Sequence, residues 1–157
     1  MRRTFTQKAC YVLASLITLL SFFPAYRMSL HSGCSLTERL AYPFFHANIF
    51  HALLNLYVLR QCMKSRCVGF SLFVFYLIAV SYPMASARPI VGLSGLIYAY
   101  MGYLAPLVVH KTRYHLTILA YLAVGLIIPC MAFGVHAYCY ALGLIWGYLT
   151  LPLWKDR

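Results

Sequence analysis

Ser94 lies between two glycines, in Gly92-Leu93-Ser94-Gly95, at the head of an apolar run where a hydroxyl needs a reason to be. A serine hydroxyl is a poor nucleophile until a neighbouring base takes its proton, and a histidine is the usual base. His136 heads another apolar run, and His51 and Asn55 stand four residues apart, on one face of any helix that carries them. These types fit acyl transfer, with Ser94 as nucleophile, His136 as general base, and His51, Asn55 and the Ser94 backbone N–H as donors to an oxyanion. Gly92 and Gly95 leave room for a tight turn and for close approach to the hydroxyl. A carboxylate to orient the base is nearly excluded by inventory, because the only acids are Glu38 and Asp156. The economical arrangement is a Ser94–His136 dyad.

Blander readings compete. Small residues also let helices pack closely, and a His51–Asn55 pair can serve assembly alone. His46 is five residues before His51, about 140° around a helix, which makes it a supporting residue rather than a ligand. A zinc site from His46, His51 and His136 lacks an acidic or thiolate partner at suitable spacing, so neither metal nor cofactor is expected. The six cysteines contain no Cys-x-x-Cys and read as small packing residues. Glu38 reads as a loop charge satisfied by Arg39 or water.

The elements that must position these groups follow from composition. The chain has 157 residues, 63% of them hydrophobic and only 10% charged, which is too apolar for a water-surrounded domain of this size. It reads as one all-α, integral, multi-pass membrane domain over residues 1–157, with the lipid bilayer as its main partner. The net charge of +11 comes from Lys and Arg in small groups between apolar runs, a topology signal and not a nucleic-acid surface. Six spans are expected at about 9–26, 44–59, 67–84, 92–109, 116–130 and 136–153, the first a retained helix and not a signal peptide. Ten of the 13 Lys and Arg residues fall at the head, tail and two links on one side, so both termini are expected to be cytoplasmic.

In that topology spans two, four and six enter from the outer side. His51, Ser94 and His136 then share a depth, where polar groups are costly unless paired or functional. Ser94 and Tyr98 share a helix face, and so do His136, Cys139, Tyr140, Gly143 and Gly147. Gly143-x-x-x-Gly147 allows the last helix to approach a neighbour closely.

The motifs His46-x4-His51-x3-Asn55, Gly92-Leu93-Ser94-Gly95-x-x-Tyr98-x-x-Met101-Gly102-Tyr103 and Gly134-x-His136-x6-Gly143 resemble those of the rhomboid intramembrane serine proteases. The resemblance runs from about residue 38 to residue 147. It implies a six-helix bundle in the bacterial inner membrane, without a seventh helix or extra soluble domain, that cleaves transmembrane protein substrates near the outer face. It also implies a Tyr98 ring stacked on His136, with Gly92, Gly95, His46 and Gly143 in support. The short first loop lacks the family's Trp-Arg pair, and Cys139 stands where a smaller residue usually packs. The runner-up is a rhomboid-like protein that binds or escorts membrane helices without catalysis. Such relatives usually lack the serine or the histidine, and both are present here. A small transporter has no intramembrane acid to couple ions. Span five, with Gly125, is the expected moving element.

Overall fold

The computed structural model describes residues 28–64, 71–83, 89–127 and 132–152, with residues 12, 16, 17, 19 and 20 of the preceding segment. Helix α1, Leu36–Ala41, is set by a capping box in which Ser35 Oγ accepts the Glu38 N–H while the Glu38 carboxylate accepts the Ser35 N–H. Pro43 then tightens the chain into a 3-10 turn, Tyr42–Phe44. Helix α2, Ile49–Cys62, starts where the Asn48 side chain accepts the His51 N–H at 2.9 Å. Helix α3 is Ser71–Val80 and helix α4 is Ser94–Leu104, followed by a 3-10 turn, Ala105–Leu107, that contains Pro106. Helices α5, Lys111–Ile127, and α6, Phe133–Thr150, complete the described part.

Helix α4 is the hub. Nine of its eleven residues are buried, and it is flanked by α2, α3 and α6, with α6 making the most extensive contact. Gly102 of α4 faces the backbone of Tyr140 and Leu144, while Gly143 and Gly147 of α6 face the backbone of Ala99 and Tyr103. A side chain at any of these glycines would meet backbone, so their absence is what lets the two helices touch main chain to main chain. On the opposite side Phe75 of α3 stacks on Tyr100 at 4.9 Å between ring centres, with Tyr103 at 5.2 Å. Helix α5 packs more sparsely, against α6 and the Ala105–Leu107 turn.

The segment 28–46 ties the frame together. Leu30 and Ile90 form an antiparallel bridge with N–H···O distances of 2.8 and 2.9 Å. The Arg39 guanidinium donates to the carbonyls of Val80 and Tyr82 at 3.1 and 2.8 Å, a cation at the negative end of α3. Tyr42 donates its hydroxyl to the Ala79 carbonyl at 2.8 Å.

This helical architecture corrects the membrane topology expected from composition. Among the described residues no helix is long and apolar enough to cross a membrane. The 14, 10 and 11 residues of α2, α3 and α4 reach about 15–21 Å at 1.5 Å per residue, against a hydrocarbon core of about 30 Å. Helix α5 opens on Lys111 and Arg113, and the 18 residues of α6 are diluted by His136, three glycines and three tyrosines. The six-transmembrane-helix bundle, the integral multi-pass placement in a bacterial inner membrane and the orientation with cytoplasmic termini are therefore not supported. The sequence windows began span two at 44, ahead of the Asn48 cap, and carried span four through Pro106, where the chain makes a 3-10 turn. The boundaries move accordingly: span two begins at Ile49 rather than at 44, and the basic link expected between spans four and five, 110–115, runs into the start of α5 at Lys111. Most of the expected span 9–26, and the ends of spans three, five and six, lie outside the described residues.

Candidate active site

The turn before α4 brings the expected residues together. Gly92 has φ +112°, a left-handed conformation that favours glycine. A Cβ at Gly92 would lie 2.9 Å from His51 Cε1, 3.2 Å from His51 Nε2 and 3.3 Å from Asn55 Nδ2. Two donor-bearing side chains of α2 thus converge beside the bare Cα, one turn apart on the helix. The Gly92 N–H donates to the Tyr42 carbonyl at 3.1 Å, and the buried Leu93 N–H donates to His46 Nε2 at 3.3 Å. Ser94 follows as the first residue of α4, where backbone N–H groups have no partner within the helix.

Helix α6 supplies His136. His136 Nε2 is 2.8 Å from Ser94 Oγ, and the imidazole stacks on the Tyr98 ring at 4.3 Å and 15° between planes. Tyr98 is one turn after Ser94, so a single helix presents both the hydroxyl and the plate that orients the imidazole. Gly95 sits where a Cβ would touch Val135, Ala79 and Cys139 at 3.3–3.4 Å. The buried Cys139 thiol fills this gap between α3, α4 and α6.

Burial sets the electrostatics. His136 is 5% exposed, and burial first, then the nearby His51, lowers its pKa to about 4. It is neutral at pH 7 and free to accept the Ser94 proton at Nε2. Burial also holds the His51 pKa below the ordinary imidazole range. Asn55 is 6% exposed, and its Nδ2 has no hydrogen-bond partner among the described residues. A buried donor left unmet costs about 1–3 kcal/mol, and this one borders the space beside Gly92. An oxyanion placed there would satisfy it.

The remaining sequence expectations fall out differently. Glu38 does not pair with Arg39: its carboxylate accepts the Ser35 N–H and hydroxyl at 2.7 Å each and lies 3.7 Å from His31. It is committed to capping α1 and does not orient His136, while Asp156 lies outside the described residues. His46 is not on the His51 helix, because α2 starts three residues after it, so helical spacing does not apply. From the preceding loop its ring instead meets the His51 ring at 5.2 Å and 73°. Gly143 acts at a distance from the dyad, at the α4–α6 crossing. No group of three His, Cys, Asp or Glu that could hold a metal ion occurs among the described residues. Tyr42 was missed: its carbonyl anchors Gly92, and the only signal for it was Pro43, which marks a turn that aims a carbonyl inward.

No protein-family model matches the chain, and no curated protein matches it in sequence.

Proposed function

We propose that this chain is a serine endopeptidase of the rhomboid type, working through a Ser94–His136 dyad. The observation that carries the reading is the 2.8 Å contact between His136 Nε2 and Ser94 Oγ, with the imidazole held flat against Tyr98. Ser94 attacks a peptide carbonyl carbon as its proton passes to His136 Nε2. The carbonyl oxygen becomes an oxyanion received by Asn55 Nδ2–H, by His51 in its Nε2–H tautomer and by the Ser94 N–H. Collapse of the tetrahedral intermediate breaks the C–N bond, and the His136 proton leaves with the amine. Water then attacks the acyl-enzyme as His136 takes its proton; the bond from the acyl carbon to Ser94 Oγ breaks, the proton returns to Oγ and the carboxylic acid product leaves. Tyr98 takes over part of the orienting work that a carboxylate does in a triad.

The proposed substrate is a transmembrane segment of another protein, delivered unwound so that its scissile bond can enter beside Gly92. Phe50 and Leu54, which flank His51 and Asn55 on α2, are 79% and 62% exposed and suit an apolar polypeptide. Labelling of the purified protein with a fluorophosphonate, beside Ser94→Ala and His136→Ala, tests the reading. Labelling of the wild type that is lost in both variants is expected. A folded wild type that neither labels nor cleaves a model transmembrane substrate would overturn it in favour of a non-catalytic helix-binding protein.

A further inference from the structure

We propose that His46 is a positioning residue for this site: as a neutral imidazole protonated at Nδ1, it clamps the Leu93 N–H and so fixes the turn that delivers Ser94. The inference rests on the Ser94 reading for its catalytic consequence, though not for the clamp itself.

Leu93 is fully buried, and its N–H belongs to the residue immediately before the nucleophile. The His46 ring, 1% exposed, supplies the acceptor for that N–H. An acceptor nitrogen carries no proton, so Nδ1 bears the hydrogen of the neutral ring. That Nδ1 has no hydrogen-bond partner of good geometry among the described residues. The Phe44 carbonyl lies on the ring as an acceptor, which suits a proton on Nδ1 and leaves Nε2 to accept from Leu93. Protonation at Nε2 would set two donors facing each other. Burial and the neighbouring His51 both oppose a second proton and lower the ring's pKa to about 4, with the Phe44 carbonyl pulling the other way.

The position of the clamp gives it consequence. Gly92 is bonded to Tyr42 and Leu93 to His46, so two successive N–H groups before Ser94 are held by one short segment, 42–46. With those two donors occupied, the N–H groups of Ser94 and Gly95 are the next along the chain to face an oxyanion. The same His46 ring abuts the edge of His51, the donor on the other side of Gly92. One imidazole therefore sets the spacing between the nucleophile turn and the α2 donors.

The test compares wild type with His46→Leu, which fills the space without an acceptor, and His46→Gln, whose Oε1 falls near the Nε2 position. The fluorophosphonate labelling rate per folded molecule is expected to fall roughly 10- to 100-fold in His46→Leu, in line with misplacement of a reacting group by about 1 Å, and to recover most of that loss in His46→Gln. Equal labelling in all three folded proteins, or equal loss in both variants, overturns the proposal. The 15N spectrum of histidine-labelled wild type needs no variant: an unprotonated Nε2 and a protonated Nδ1 on His46 are expected, and a protonated Nε2 overturns the clamp. Amide exchange at Leu93 separates the two levels. If the wild type fails to label at all, faster exchange in His46→Leu alone still upholds the clamp while the catalytic reading falls.

Discussion

Replacing Gly143 by alanine should separate α6 from α4 and inactivate Ser94 from a distance. In an open helix Gly→Ala is stabilising by about 1 kcal/mol, because glycine loses more backbone freedom on folding. Here the new Cβ would overlap the Ala99 carbonyl oxygen and lie 2.7 Å from its carbon and 2.8 Å from its Cα, where ordinary contact begins at 3.4 Å. These atoms are main chain and cannot swing away, so the helices must part by roughly 1 Å, at an overpacking cost of about 1–3 kcal/mol. That outweighs the propensity gain, and the melting temperature should fall. His136 is two turns along the same helix, about 10 Å away, and is carried with it. Lengthening the 2.8 Å bond to Ser94 by the same amount takes it past hydrogen-bonding distance and should slow labelling about 100-fold. Gly134→Ala is the control, since its Cβ would meet only the hydroxyl end of Tyr82, a side chain that can move. Thermal unfolding and labelling kinetics on the two variants decide the matter. A Gly143→Ala protein as stable and as reactive as wild type would refute the main-chain contact and the coupling drawn from it.

Gly92→Ala should abolish labelling, because a Cβ there intrudes on His51 and Asn55 and the +112° φ is strained for alanine; peptide hydrolysis and labelling should both fall below about 1% of wild type. Asn55→Ala should cost about 100-fold or more in rate with a melting temperature little changed or raised, since it removes an unmet buried donor. Stability should be complete above pH 6.5 and decline as the pH drops through 4, because His136 is held at about 4 in the folded protein while the unfolded chain takes up its proton at the ordinary value of 6.5. That one group accounts for at most about 3 kcal/mol, to be read from urea midpoints across the range. Ser35→Ala should lower stability by about 1 kcal/mol through loss of the α1 cap, with labelling per folded molecule unchanged.

The approach of Ser94 and His136 was legible because these residue types are costly to bury unpaired and their neighbours recur at helical spacing. Ser94 with Tyr98, His51 with Asn55 and the small-residue face of α6 could all be drawn on helical wheels. The contacts that hold these residues in place were not legible. His46 was read as lying on a helix that does not yet exist at that residue, since the Asn48 cap starts α2 later. Glu38 was read by charge, toward Arg39, whereas the capping geometry three residues after Ser35 decides its partner. Arg39, freed of that pairing, reaches the carbonyls of Val80 and Tyr82 at and just past the end of α3, more than 40 residues ahead, and no local pattern shows this. The membrane topology failed for a related reason. Hydropathy adds up apolar residues without regard to where the Asn48 cap starts a helix or Pro106 ends one, and span length was the quantity at stake.

The wide sequence separation of the site's parts also bears on when the site is assembled. Ser94 and His136 are 42 residues apart, and the His46 nitrogen that meets the neighbouring N–H is 47 residues before Leu93. Contacts of this kind form late in folding, after the loop-closure entropy between them has been overcome. During synthesis the serine emerges well before His136, as an ordinary hydroxyl. On the proposed reading, the docking of α6 onto α4, glycine against backbone, is the event that would arm it, so an incompletely folded chain would carry no activated nucleophile with which to attack its neighbours.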